Sequence, residues 1–334
     1  MKRGIDPKNF NVEAATFDTL DLLVALKIPT VDLIVRESLG TVAYGMLRRA
    51  PGSIRSLTIE DPFPGDRTSL SGEVSNLAGA FQRYVAQCTA SVICRTGYPD
   101  LAERYRAGHA AHAAAPTLVA ADNPDVGKPP VSVLLDGPRS AQALSQALRS
   151  PDTYSLIPAA IAQTADAAIA AQAVKFDQAD IESDFTWGAD LSYVCSYDLR
   201  TFDPNGTALS AQTAPAFDVS DVARRTSWCT AWNVPAVPDQ VFATPASPVP
   251  ALLFRGDLSP TADPGWIHTV ARGFPNSSTL VFPTLGGQMA TSAPPCLADL
   301  RRKFLAHPTT KLKPSEIAAC VALSPPIQWV TPAG

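Results

Sequence analysis

Ser38 stands in the run Arg36-Glu37-Ser38-Leu39-Gly40-Thr41, directly after the apolar stretch from Val31 to Val35 and before a helix-like stretch. A serine on a sharp strand-to-helix turn presents its hydroxyl at the end of a sheet, where it attacks an acyl carbon once a base takes its proton. Glu37 reads as structural or substrate-facing, because at that spacing its side chain diverges from that of Ser38. The chain has four histidines, His109, His112, His268 and His307. Each reads first as a surface or packing residue, with His109 and His112 the better candidates for a recruited base. The acidic cluster Asp180, Glu182 and Asp184 has the charge to meet a peptide's ammonium group, although it reads first as a solvated acidic loop.

The elements that must position these residues are readable from periodicity. Phe17, Leu20, Leu23 and Val24 recur at helical spacing within residues 12 to 27 and Pro29 closes the run, which predicts a helix packed on a sheet. A strand at Val31 to Val35, the Ser38 turn, a helix from about Thr41 to Arg49 and a strand at Leu57 to Ile59 make a βαβ unit. Its short apolar strands predict a parallel sheet covered on both faces. From about Phe63 to Ala246 the texture turns to Ala-rich helical stretches such as 158 to 174, broken by Pro, Gly and Asp. Sheet texture returns at Val249 to Phe254, followed by a helix at Trp266 to Arg272, a strand at Thr279 to Phe282 and a final helix from about Cys296 to Leu305.

The 334 residues hold 27 Lys plus Arg against 31 Asp plus Glu, and the basic residues form no stripe of the kind that tracks nucleic acid. No apolar run approaches the ~20 residues of a membrane span, and the amino terminus has no apolar stretch to make it a secretory signal. No phosphate-binding glycine loop or ligand-spaced histidine set is present, so neither cofactor nor metal is expected. Six cysteines lack a CxxC pair and favour disulfides over a metal site. Chain order suggests Cys88 with Cys94, Cys195 with Cys229 and Cys296 with Cys320, six buried thiols being the alternative. Disulfides place the chain in an oxidising compartment, secreted or in the cell envelope.

Residues 3 to 61, with CTASVICRTGYPDL, SDFTWGADLSYVC, CTAW, VPALLFRGDLSPTADP, LVFPTLGGQM and PPCLADLRRKFL in that order, resemble the secreted tripeptidyl-aminopeptidase-like (TAP-like) branch of the α/β-hydrolases. The resemblance covers nearly the whole chain. It implies an α/β-hydrolase fold with a mostly parallel sheet and a large inserted helical cap. Residues 1–62 are the first part of the core, 63–246 the cap and 247–334 the TAP-like part of the core. It also implies a small peptide or acyl ester as substrate, with Ser38 at the nucleophile position and Leu39 at one oxyanion donor. Arg36 replaces the first glycine of the Gly-x-Ser-x-Gly turn, while Gly40 keeps the second. The acid position of the family falls on Ser259 and the base position on Gln288, neither of which supplies the usual chemistry. Asp257 and Asp263 flank the acid position as displaced alternatives. The family's nucleophile follows the fifth strand, so the resemblance further implies a fold lacking its first strands, with Val31 to Val35 an apolar edge open to self-association or a partner. Impaired acyl transfer through Ser38 is one expected function, and a binding protein or truncated remnant without catalysis is the other.

Overall fold

The computed structural model describes residues 4–123, 127–163, 166–181, 186–200, 214–218, 222–287 and 289–331. Helix α1 (Val12–Ala25) leads to strand β1 (Val31–Arg36), helix α2 (Gly40–Arg49) and strand β2 (Ile54–Glu60). The cap follows as α3 (Ser69–Ala90), α4 (Val92–Gly97), α5 (Leu101–Ala114), strands β3 (Thr117–Ala121) and β4 (Val131–Leu135), α6 (Gly137–Arg149), α7 (Pro151–Tyr154), α8 (Ile157–Ala162), α9 (Asp166–Ile181), α10 (Trp187–Ser196) and α11 (Val222–Trp232). The chain returns to the sheet with β5 (Ala251–Gly256), α12 (Trp266–Gly273), β6 (Ser277–Phe282), α13 (Met289–Ser292), α14 (Pro295–Ala306) and α15 (Pro314–Val321).

The main sheet is parallel, with strand order β1-β2-β5-β6. Its centre is dry on both sides, which accounts for the unbroken apolar run of β5. Ala251 and Leu253 pack with Tyr44, Leu47, Ile267 and Val270 on one face, and Leu252 and Phe254 pack with Leu280, Leu297 and Phe304 on the other. Among the described residues β1 is an edge strand, and Ile34 on it is 53% exposed. Helix α1 covers the sheet less fully than its periodicity predicts. Leu20 and Leu23 do reach the core, but Phe17 and Val24 face outward, and Phe17 lies under the Arg49 guanidinium.

The cap differs from the all-helical expectation by the antiparallel hairpin β3–β4. Its β-branched runs are short and lie in Ala-rich sequence, so they register weakly against the helices on either side. The stretch from 158 to 174 divides into α8 and α9, and the tail near Glu316 forms the full helix α15. All three expected disulfides are present, Cys88–Cys94, Cys195–Cys229 and Cys296–Cys320. Such bonds suit an oxidising environment. Among the described residues no helix is long and apolar enough to cross a membrane.

Candidate functional site

The carboxyl ends of parallel strands are where open α/β sheets place their ligands, and in this chain those ends carry charge. Strand β1 ends in Arg36 and Glu37, β2 in Glu60 and Asp61, and β5 runs through Arg255 into the loop holding Ser259 and Thr261. The loop after β6 brings Gly287 to the same point, where a side-chain carbon on it would lie 3.3 Å from Asp61 Oδ2, 3.5 Å from Ser259 Oγ and 3.7 Å from Glu37 Oε1.

The turn after β1 is built differently from the motif reading. Strand pairing runs through Arg36, opposite Glu60, and the next residue, Glu37, takes the left-handed conformation with φ of 48°. The residue at the apex of the turn is therefore Glu37, one position before Ser38. The Glu37 carboxylate accepts from Arg149 Nη2 at 3.1 Å and from Thr261 Oγ1 at 3.3 Å. Ser38 begins the run into α2, its carbonyl accepting from the Thr41 hydroxyl at 2.6 Å. Its hydroxyl lies beside the buried phenol of Tyr193 from the cap, which has no hydrogen-bond partner of standard geometry among the described residues. The Leu39 side chain is exposed.

Ser259, at the position of the expected acid, is wholly buried and donates a 2.8 Å hydrogen bond to Asp61 Oδ2. Asp61 is the carboxyl of this site that sequence reasoning passed over. It is fully buried and left-handed at φ of 47°. Burial pushes its pKa up to about 7, against the opposing charge of Arg255. Arg255 Nε lies 3.8 Å from Asp61 Oδ1, too far for a hydrogen bond, and burial pulls the guanidinium below its ordinary range. The expected alternatives for the acid are engaged elsewhere. Asp257 pairs with Arg83 at 3.5 Å, and Asp263 is exposed and accepts from the Gly265 N–H at 2.6 Å. Gln288, Glu182 and Asp184 lie outside the described residues, while Asp180 falls in the last turns of α9.

No described histidine contacts Glu37, Asp61 or Ser259. His268 and His307 are exposed, and His109 and His112 are buried inside the cap. Among the described residues no His, Cys, Asp and Glu group is arranged to hold a metal ion.

A family model described as TAP-like protein, an α/β-hydrolase family, matches residues 214–316. That stretch carries β5, the Ser259 loop, β6 and the Gly287 loop. Within those residues the chain is similar to the TAP-like family. No curated protein matches it in sequence. Similar solved structures include MGS-M2, an α/β-hydrolase enzyme from a Medee basin deep-sea metagenome library. It is 11% identical with a TM-score of 0.40, over 91% of this chain and 74% of that one. Another is the meta-cleavage product hydrolase CumD from Pseudomonas fluorescens IP01, 10% identical with a TM-score of 0.41, over 92% and 74%. A third is the epoxide hydrolase of Bacillus megaterium, 10% identical with a TM-score of 0.38, over 91% and 79%. At such identity no residue role passes from those enzymes to this chain.

The bridge from Arg149 to Glu37 ties cap to core, and both side chains are about three-quarters covered. Charge-assisted pairs of this exposure contribute about 1 kcal/mol. Arg149→Ala is expected to cost about that much in urea unfolding, and a double-mutant cycle with Glu37→Gln should return a coupling of about 0.5–1 kcal/mol.

Proposed function

We propose that this TAP-like α/β-hydrolase is a binding protein that keeps the cleft of its family without efficient catalysis. The observation that carries this reading is the turn after β1, whose apex is Glu37, a carboxylate held by Arg149 and Thr261. Ser38, one residue on, has the Tyr193 phenol beside it and no imidazole among its described neighbours. A hydroxyl without a base is a poor nucleophile at neutral pH, and losing the nucleophile–base unit costs about 10⁶ in kcat in a serine hydrolase. Its ligands are drawn from the chemistry of the family, short peptides with a free amino terminus and small acyl esters. The three disulfides support a place outside the cytoplasm.

The deciding experiment is fluorophosphonate labelling of the oxidised protein beside Ser38→Ala, with p-nitrophenyl butyrate turnover followed in parallel. Equal silence from both proteins is expected. Labelling confined to the unsubstituted chain would overturn the reading and restore Ser38 as an activated nucleophile.

One observation favours a second reading, that of a weak hydrolase. Asp61, with its pKa near 7 at the strand ends, has the proton affinity of a general base for neutral pH. Ester turnover that rises through about pH 7 and disappears in Asp61→Asn would identify that activity.

A further inference from the structure

The cap contains a cavity of about 100 Å³ between α5, α6, α8 and α9, separate from the residues at the strand ends. Its walls are mainly Ala143, Leu144, Ala147, Ile157, Ile161 and Ile169. On its polar wall Ser140, His112, Tyr105 and Thr153 have partners. The Ser140 hydroxyl lies 2.6 Å from His112 Nδ1 and 3.0 Å from the Asp136 carbonyl oxygen. The other ring nitrogen, Nε2, lies 3.2 Å from Asp166 Oδ1. The Asp166 carboxylate only accepts, so Nε2–H is the donor to it, and in the neutral ring Nδ1 then accepts from the Ser140 hydroxyl; Ser140, His112 and Asp166 form one chain of hydrogen bonds. The Tyr105 hydroxyl donates to the Ala216 carbonyl at 2.6 Å. Burial, with His112 adding to it, holds the His109 pKa below its ordinary value.

An apolar cavity with those side chains paired offers water little, and one of about 150 Å³ stays dry and accepts a benzene-sized guest. The rim has a different character. Arg104 lines the mouth, its side chain is exposed, and it enters no ion pair with a described residue. A guanidinium there suits a carboxylate, which it binds through paired N–H donors.

We propose that this cavity is a ligand site for a monocarboxylate with a short apolar tail, the tail lying among the α6 and α8 side chains and the carboxylate on Arg104. The site is independent of whether the cleft at the strand ends is catalytic.

Isothermal titration of the oxidised full chain with hexanoate, and separately with 1-hexanol, tests it. Hexanoate is expected to bind saturably and about tenfold more tightly than the alcohol. Arg104→Glu, a surface change, should weaken hexanoate about tenfold or more and leave the alcohol unaffected. Ala160→Phe, which fills the cavity from its half-buried wall, should remove both. Failure of hexanoate to bind at millimolar concentration would overturn the proposal, as would equal affinity for the alcohol or indifference to Arg104→Glu. Retained binding in Ala160→Phe would place the ligand elsewhere and overturn it equally.

Discussion

Asp61→Asn is expected to raise the folding stability of this protein by about 4 kcal/mol at about pH 8 and to change it little below about pH 4. The Asp61 carboxyl is wholly enclosed, and burial outweighs the favourable field of Arg255, so its folded pKa rises from 3.8 to about 7. The folded state then binds the proton more tightly than the unfolded chain. The stability this confers is fully present below the unfolded pKa and is lost as pH rises toward about 7, each unit being worth about 1.4 kcal/mol. Asparagine keeps the acceptor for Ser259, tolerates the left-handed backbone and has no charge to bury. Chemical denaturation of both proteins across that pH range checks the result. Arg255 makes the outcome informative, because its Nε and Nη2 donate to the carbonyls of Gly256 and Ala262 while Nη1 has no partner among the described residues. A destabilised Asn variant at high pH would mean that the ion pair outweighs the cost of burial. The expected gain would instead mark Asp61 as a residue held against stability, which is the usual sign of a functional group.

Where the local pattern determined the structure, the sequence was readable. The βαβ unit follows from a change of period at one turn, and β5 announces its two-sided burial by four consecutive apolar positions, Ala251 to Phe254, ahead of Arg255 and Gly256. The disulfides follow from local order in the chain. What escaped reading depends on register and on tertiary burial. Matching the letters Ser-x-Gly anchors the turn at Ser38, whereas the hydrogen-bonded pairing of Arg36 with Glu60 makes Glu37 its apex. The run Leu57-Thr58-Ile59-Glu60-Asp61 contained the missing signal, an acidic pair at the carboxyl end of a buried parallel strand. An acidic pair usually means a solvated strand end, and only the packing of Arg255 and Ser259 shows that this one is enclosed. Phe17 and Val24 were misassigned for a related reason, since helical spacing shows that a face exists without showing that anything covers all of it.

Gly286→Val is expected to destabilise the protein by about 3 kcal/mol and to loosen the cap before the sheet unfolds. At Gly286 the first side-chain carbon would lie 2.2 Å from the Leu148 carbonyl oxygen, 2.7 Å from that of Arg149 and 2.7 Å from the Tyr154 hydroxyl. Two of these three are backbone atoms at the end of α6, which cannot turn aside as a flexible side chain would. Relief requires the α6–α7 junction to lift from the loop after β6, and that junction carries Arg149, the partner of Glu37. Gly256 makes the same demand from beneath, because a carbon there would lie 2.2 Å from the carbonyl oxygens of both Leu285 and Gly286. The two glycines thus let strand β5, the loop after β6 and the cap pack backbone against backbone, so that Asp61, Ser259 and Glu37 are closed in together. Urea unfolding measures the loss, and limited proteolysis locates it. Early cleavage within the cap is expected for Gly286→Val, whereas an unchanged cleavage pattern with unchanged stability would show that cap and sheet meet less closely than this geometry requires.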